Sequence, residues 1–334
     1  MNENTILITG ANGEMGRGLI SMLHNDKANN NIIAMDIKNI DNSISSYCST
    51  KIIGDILNVN LINEINKKYN IKTIYHLAAL LSTQAELNPK LAHDINVEGT
   101  LNLLNLALQQ GKSQEKKIKF FFPSSIAVYG LKNLKEKYNA GIIDEKKFHN
   151  PTTIYGCNKL YCEHLGNYYA NNYSKNNNYI DFRSIRFPGI ISSQTIPSGG
   201  TSDYIPEMLH AAAQNQKYYC FVRDNTQIPF MTMPDAIDAI TKIMNAPKNN
   251  LKSTVYNVRA FSPTAEEFRK QILQFFPNAI IKYKINSQRQ KMVDGWPMDT
   301  DDSAAKKDWK WKPKYNLQSS LSQYLIPELI KIYN

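Results

Sequence analysis

Two segments place a tyrosine and a lysine four residues apart: Tyr155 and Lys159 in TIYGCNKLYCEHLGNYY, and Tyr47 and Lys51 in YCSTK. A free phenol has a pKa of about 10, too high for a base at neutral pH. On a helix, a lysine at this spacing lies one turn away, and its ammonium favours the phenolate. Such a phenolate can take a proton from a substrate hydroxyl. Spacing alone does not separate that pair from two surface residues, and both sites cannot be the active one. The elements around each pair have to choose.

Up to residue 187 strand and helix alternate. TILIT (5–9), NIIAMD (31–36), IKTIYHLAA (71–79), KIKFFFPSS (117–125) and YIDFRSIRF (179–187) read as strands. GEMGRGLISMLHN, LNVNLINEINKKYN, the stretch 89–111 and the stretch 152–173 read as helices. Repeated βα units with continuous apolar strands predict an α/β fold: a Rossmann-like, doubly wound parallel sheet covered on both faces. The organisation expected is a dinucleotide-binding domain over 1–187 and a smaller α/β substrate-binding cap over 188–334. Helix and strand returns from the second half complete the first. GIISSQTIPSGGTSDY opens the second half and reads as irregular.

ITGANGEMGRGL follows the first strand and opens a helix, with Gly10, Gly13 and Gly16 spaced GxxGxxG. Glycines let backbone approach a pyrophosphate, and the helix N-terminus supplies free N–H groups. Asn12, Glu14 and Met15 belong to the same turn and are assigned to the cofactor set. The second strand ends in Asp36, placed to bond both ribose hydroxyls and to repel a 2′-phosphate. The cofactor expected is therefore NAD, although Lys38 stands nearby. Asp55, with the Ile56 backbone, is assigned to the adenine. Leu77, Ala78 and Ala79 end the HLAA stretch and are small enough to let a cofactor pass. Asn96 completes the set.

Parallel strands share their C-terminal ends, so FFFPSS delivers Ser124 and Ser125 to the edge that carries Gly10. Tyr155 and Lys159 lie on the next helix, facing the sheet if Leu160 and Leu165 mark its apolar side. Tyr47 and Lys51 lie in a polar loop between the second and third strands. Only the later pair has both a hydroxyl partner and a cofactor, so Tyr155 is the expected base. An oxidised nicotinamide adds positive charge beside it, and hydride leaves the substrate carbon as the proton leaves its oxygen.

Composition narrows the field. The 334 residues are 42% hydrophobic with a net charge of +10, but lysine is dispersed rather than clustered, and nucleic acid is not expected as a partner. No apolar run is long enough to cross a bilayer. MNEN leads straight into the first strand, leaving no room for a signal or transit peptide; a cytoplasmic protein is expected. Cys48, Cys157, Cys162 and Cys220 form no CxxC, the six histidines form no HExxH, and no metal site is expected.

The combination of GxxGxxG, Asp36, the serine pair and YxxxK resembles the extended short-chain dehydrogenase/reductases. HLAALLS, PSSIAVYG, DFRSIRFPGIIS, PSGGTSDY and GWPMDTDDSAAKKDWKWKP narrow the resemblance to the L-threonine 3-dehydrogenase branch, from the first strand to about residue 316. The resemblance implies NAD-dependent oxidation of the L-threonine 3-hydroxyl to 2-amino-3-ketobutyrate. It implies Tyr155 as base, Lys159 as its ribose-binding partner, and Ser124 or Ser125 as hydroxyl holder, with Ser125 at the usual position. Ser82, Thr201 and Trp296 match substrate-pocket segments, and Pro188 would sit beside the nicotinamide. The branch also implies homodimers packed through the helices at 89–111 and 152–173.

A small zwitterionic substrate needs donors for its carboxylate, which Gly199, Gly200 and Thr201 offer, and an acceptor for its ammonium, for which Asp203 is available. A sugar-nucleotide epimerase or reductase, the alternative on the same fold, would need basic groups for a diphosphate, and Arg223, Arg259, Arg269 and Arg289 exist. A cofactor-sensing protein without catalysis is a third reading, and the intact Tyr155/Lys159 pair counts against it. DWKWKP is expected to form an aromatic cluster holding the C-terminal helix. Asn158, Ser198 and the long stretches 131–150 and 174–178 depart from the pattern and are expected to be surface or supporting changes.

Overall fold

A computed structural model describes residues 5–26, 31–173, 178–197 and 200–333. Seven strands form one parallel sheet: β1 (Thr5–Thr9), β2 (Asn31–Asp36), β3 (Thr50–Ile53), β4 (Ile71–His76), β5 (Ile118–Ser125), β6 (Ile180–Phe187) and β7 (Val255–Asn257). Their order is β7-β6-β5-β4-β1-β2-β3, with the reversal between β1 and β4 opening a crevice at the C-terminal edge. The seventh strand and helix α6, defined below, come from beyond residue 188.

Side-chain alternation explains the three layers. Leu7, Ile33, Ile74, Phe120, Phe122 and Phe182 point to one face, beneath α2 (Val59–Lys68), the long helix α3 (89–114) and α4 (Ile154–Asn171). Ile6, Ile8, Ile32, Ala34, Phe121 and Ile185 point to the other, beneath α1 (Glu14–Asn25). The second half then adds α5 (Tyr204–Ala213), α6 (Met233–Asn245), α7 (Ala265–Phe275) and α8 (Ser287–Asp294). Of these, α6 shares the core of α1, through Ile237, Ile240 and Ile243. Its C-terminal carbonyls are met by charges rising from the sheet: Arg183 donates to Ile243 O and Ala246 O, and Lys119 to Met244 O.

Several expectations are corrected. The stretch from Gly189 is irregular only in part: Gly189–Ile191 is a strand paired in parallel with Phe230–Thr232 and α5 begins at Tyr204, while the described residues between them form neither helix nor strand. The fourth strand stops at His76, because Leu77 turns into the loop over Gly10. The DWKWKP cluster does not hold the C-terminal helix. Trp309 packs edge-on against Tyr256 of β7 and beside Trp311, in the core of α6, whereas Leu325 and Leu329 belong to the core of the cap. Lys51 lies on edge strand β3 rather than in a loop, and Tyr47 stacks on His24 with ring centroids 4.2 Å apart. For the segment 131–150, expected to be surface or supporting, the supporting alternative holds: Leu131 N donates to Gly295 O and Ile142–Ile143 pairs with Asp299–Thr300. Ser198, Gly199 and residues 174–177 lie outside the described residues.

Candidate active site

The turn after β1 is built for a close approach. Gly10 has φ +68°, and a Cβ there would lie 2.6 Å from Ala78 N and 2.8 Å from the Leu77 carbonyl carbon. Any larger residue would drive the Leu77–Ala79 loop off the sheet edge. That loop is braced by Asn96. In a π-helical turn within α3, its amide accepts from Leu80 N (2.8 Å) and donates to Leu80 O (3.0 Å). Asn96 is 3% exposed and its amide is committed to the loop, so it reaches the cofactor cradle through Leu80 rather than by its own side chain.

No side chain caps the N-terminus of α1 at Gly13, which leaves the N–H groups of Glu14, Met15 and Gly16 for a ligand. Asp36 faces this opening. Its carboxylate accepts from Asn12 N (2.9 Å) and Lys38 N (3.2 Å), and Asn12 is locked in turn by Asn39 O and Asp41 N. Asp55 is exposed and caps Leu57 N, while Ile56 is buried with its carbonyl held by Asn102. A cradle filled by any Cβ, an open helix start and a fixed carboxylate at the second strand fit an adenine dinucleotide with a free 2′-hydroxyl.

On the far side of the crevice, β5 ends at Ser124–Ser125. Ser125 is paired in register with Phe187, which brings buried Pro188 to the same edge. The two serines diverge because strand side chains alternate. Ser124 is buried and donates to Glu163 Oε1 at 2.5 Å. Ser125 is half-buried and its Oγ accepts from Ala127 N (3.1 Å), which leaves its hydroxyl hydrogen for a ligand.

Helix α4 starts at an N-cap, Thr153, whose hydroxyl accepts from Gly156 N at 3.0 Å; Glu86 accepts from Ile154 N at 2.7 Å. Gly156 lets the helix lie on the turn after Ser125, since a Cβ would be 2.0 Å from Ala127 O. The sheet-facing stripe is Lys159, Cys162, Glu163, Gly166 and Ala170, not the side marked by Leu160 and Leu165, which are only partly buried. Small and polar groups line it because the helix packs close to β5 and β6. Lys159 Nζ donates to Pro123 O (2.7 Å) and lies 5.5 Å from the Tyr155 ring centroid. Burial pulls the Lys159 ammonium down to about 8, opposed by Cys162 and Glu163, and burial pushes the Tyr155 phenol above its ordinary value. Asn158 is buried with its Oδ1 unpartnered.

In the residues assigned to the substrate, Thr201 and Ser82 share a hydroxyl–hydroxyl bond of 3.4 Å, and Gly200 N donates to Asp203 Oδ2 at 2.6 Å. One Asp203 oxygen is therefore occupied by its own loop. Trp296 is 4% exposed and its indole N–H has no partner. Trp296 belongs to the core of the cap, and Tyr155 is among the partly buried side chains packed against that core. The four arginines of the second half are all turned to carboxylates: Arg223 to Asp294, Arg259 to Asp299, Arg269 to Glu266, and Arg289 to Glu207. Tyr47 and Lys51 stand on the β2–β3 side of the sheet, remote in topology from β5.

Sequence reasoning missed the ionic cluster under the helix. Arg186 forms a fork on Glu163 (2.9 and 2.6 Å) and donates to Tyr129 OH, Glu145 O and His149. The signal was present: Glu163 follows Lys159 by four residues, and Arg186 interrupts an apolar strand. Buried His76 was also missed. Held between Thr9 and Thr100 hydroxyls, it is pulled down to about 3 by burial and by the Lys159 charge. Among the described residues no cluster of His, Cys, Asp and Glu could hold a metal ion, and no helix is long and apolar enough to cross a membrane.

Comparison with known proteins agrees with this geometry. Residues 6–258 match the NAD dependent epimerase/dehydratase family. The mitochondrial L-threonine 3-dehydrogenase of Bos taurus is 33% identical over 97% of this chain and 82% of its own length. The L-threonine dehydrogenase structure from Clostridium difficile superposes with a TM-score of 0.87, 33% identity, and coverage of 100% of this chain and 99% of that one. A monomeric L-threonine 3-dehydrogenase from a metagenome gives 0.86 at 37% identity, covering 98% and 100%. With its dinucleotide cradle and its YxxxK helix on one sheet edge, the chain belongs to the NAD dependent epimerase/dehydratase family and is an oxidoreductase of the extended short-chain dehydrogenase/reductase type.

Proposed function

We propose that this enzyme oxidises the 3-hydroxyl of L-threonine with NAD, giving 2-amino-3-ketobutyrate. The observation that carries the substrate assignment is the company the second half's polar groups keep. Thr201 and Ser82 meet as neutral hydroxyls, while every second-half arginine is already paired to a carboxylate. A sugar diphosphate would find no uncommitted guanidinium among those four, whereas a small zwitterion needs only short donors and acceptors.

NAD supplies the hydride acceptor when bound. Gly10, Gly13 and Gly16 would seat its pyrophosphate, with Asn12, Glu14 and Met15 in the same turn. Asp36 would hold the adenosine ribose, and Asp55 with Ile56 the adenine. Leu77, Ala78, Ala79 and Pro188 would line its path, Asn96 bracing the first three. Ser125 donates to the substrate hydroxyl oxygen. Tyr155 takes the hydroxyl proton as the C–H bond breaks, and Lys159 holds the phenolate electrostatically and reaches the second ribose. The Thr201 and Ser82 hydroxyls receive the carboxylate, Gly200, whose N–H is held by Asp203, shapes the loop beside them, and Trp296 shapes the wall.

Exposed Leu91 on α3 and exposed Tyr161 and Tyr168 on α4 support a homodimer through those helices, although the similar metagenomic L-threonine 3-dehydrogenase is monomeric. The free thiols of all four cysteines suit a reducing, cytoplasmic setting. The deciding experiment follows nicotinamide reduction with L-threonine, D-threonine and L-serine, with Tyr155→Phe as control. Turnover selective for L-threonine and lost in the variant is expected. A folded, NAD-binding protein inert toward L-threonine would refute the assignment and favour a sugar nucleotide.

A further inference from the structure

The helix Leu134–Ala140 carries a charged side chain that the chemistry above does not use. Lys137 is 4% exposed, and its Nζ donates to Val293 O at 3.1 Å, in the last turn of α8. A cation there meets the carbonyl end of a helix, where positive charge is favoured. Burial draws the ammonium down to about 8, with Asp294 opposing and Arg223 adding to the shift, so it is largely protonated at pH 7. The same excursion grips the following residues. Leu131 N donates to Gly295 O (2.9 Å), Ile142–Ile143 pairs with Asp299–Thr300, and Asp301 N donates to Ile143 O (2.9 Å).

What is gripped is the substrate wall. Met292 Sδ lies 3.7 Å from the Thr201 hydroxyl oxygen, and a Cβ on Gly295 would lie 3.0 Å from Thr152 Oγ1, just ahead of α4. Trp296, with its unpartnered indole N–H, comes next. One short stretch thus touches the Gly-Thr loop, the start of the YxxxK helix and the pocket wall, and Lys137 pins its helical end.

We propose that Lys137 is a positioning residue for the substrate pocket: by holding Val293 it sets the seat of Thr201 and the direction of Trp296, and so governs substrate affinity without touching substrate or cofactor. The inference rests on the threonine reading for the identity of the substrate only.

The test compares wild type, Lys137→Met and Lys137→Arg as NAD-bound enzymes, by hydrogen-exchange mass spectrometry and by steady-state kinetics. In Lys137→Met, exchange should accelerate in peptides spanning 290–297 and stay unchanged in those spanning 5–18. The KM for L-threonine should rise roughly five- to tenfold, that for NAD should move less than about twofold, and Lys137→Arg should recover part of the loss. If Lys137→Met does not fold, Lys137→Gln takes its place in both measurements. Unchanged exchange at 290–297 overturns the inference, as does an equal rise in both KM values. Should wild type not oxidise L-threonine at all, the threonine reading falls and the exchange result alone decides the role of Lys137.

Discussion

The lysine of the pair offers the sharpest test of the chemistry. Lys159 is 3% exposed and its Nζ lies 5.5 Å from the Tyr155 ring centroid. At an effective dielectric constant of about 20, a unit charge at that separation is worth about 3 kcal/mol to the phenolate, or about 2 pKa units. Lys159→Met, which keeps the volume and deletes the charge, should therefore raise the phenol's pKa by about 2 units and lower kcat roughly 100-fold at pH 7 with NAD saturating. The sign of the pH dependence follows from the depressed lysine. Its proton is held below about pH 8 and lost above, so its help to the phenolate fades there. The gap between wild type and variant should be widest near pH 7 and close progressively above pH 8. A kcat–pH profile at saturating NAD and L-threonine reads this directly. A loss constant from pH 6 to pH 10, or one below about fivefold at pH 7, would refute the electrostatic role and leave Lys159 as a ribose ligand alone.

Three other perturbations probe the scaffold. Gly10→Ala forces a Cβ to 2.6 Å from Ala78 N at φ +68°; it should abolish NAD binding by calorimetry and cost about 1–3 kcal/mol in denaturant unfolding. Arg186→Met leaves Glu163 buried and unpaired and should cost about 3–5 kcal/mol, while Arg186→Met with Glu163→Met recovers most of it; a double variant no better than the single one contradicts the pairing argument. His76 is buried neutral with a folded pKa depressed to about 3, so its contribution is complete above its unfolded value near 6.5 and is lost as pH falls toward 3. Unfolding free energy should thus drop by about 2 kcal/mol between pH 6.5 and pH 5 on its account, and His76→Gln should flatten that slope.

Much of the fold was legible because each signal was local. The βα alternation, the GxxGxxG turn and Asp36 at a strand end are short-range patterns, set by backbone sterics and by apolar periodicity over a few residues. Those patterns also placed Ser124, Ser125, Tyr155 and Lys159 at one edge, since parallel strands share their ends. The second half was harder to read. Its strands are only two or three residues long and derive their stability from partners far along the chain, as Gly189–Ile191 does from Phe230–Thr232.

What folding in three dimensions alone decided was the division of labour among groups the chain merely contains. Strand alternation next to α4 sent Ser124 to Glu163 and left Ser125 facing the crevice, because only a packed helix fixes which face is buried. Four arginines open to a phosphate on paper became partners of Asp294, Asp299, Glu266 and Glu207, because a guanidinium half removed from water binds the nearest carboxylate. The stretch 131–150, surface or support on paper, became the support of the residues leading to Trp296, through contacts spanning some 150 residues that no local pattern encodes. Sequence determined which elements form and which edge carries the chemistry; tertiary packing decided which of the polar groups at that edge remain free to perform it.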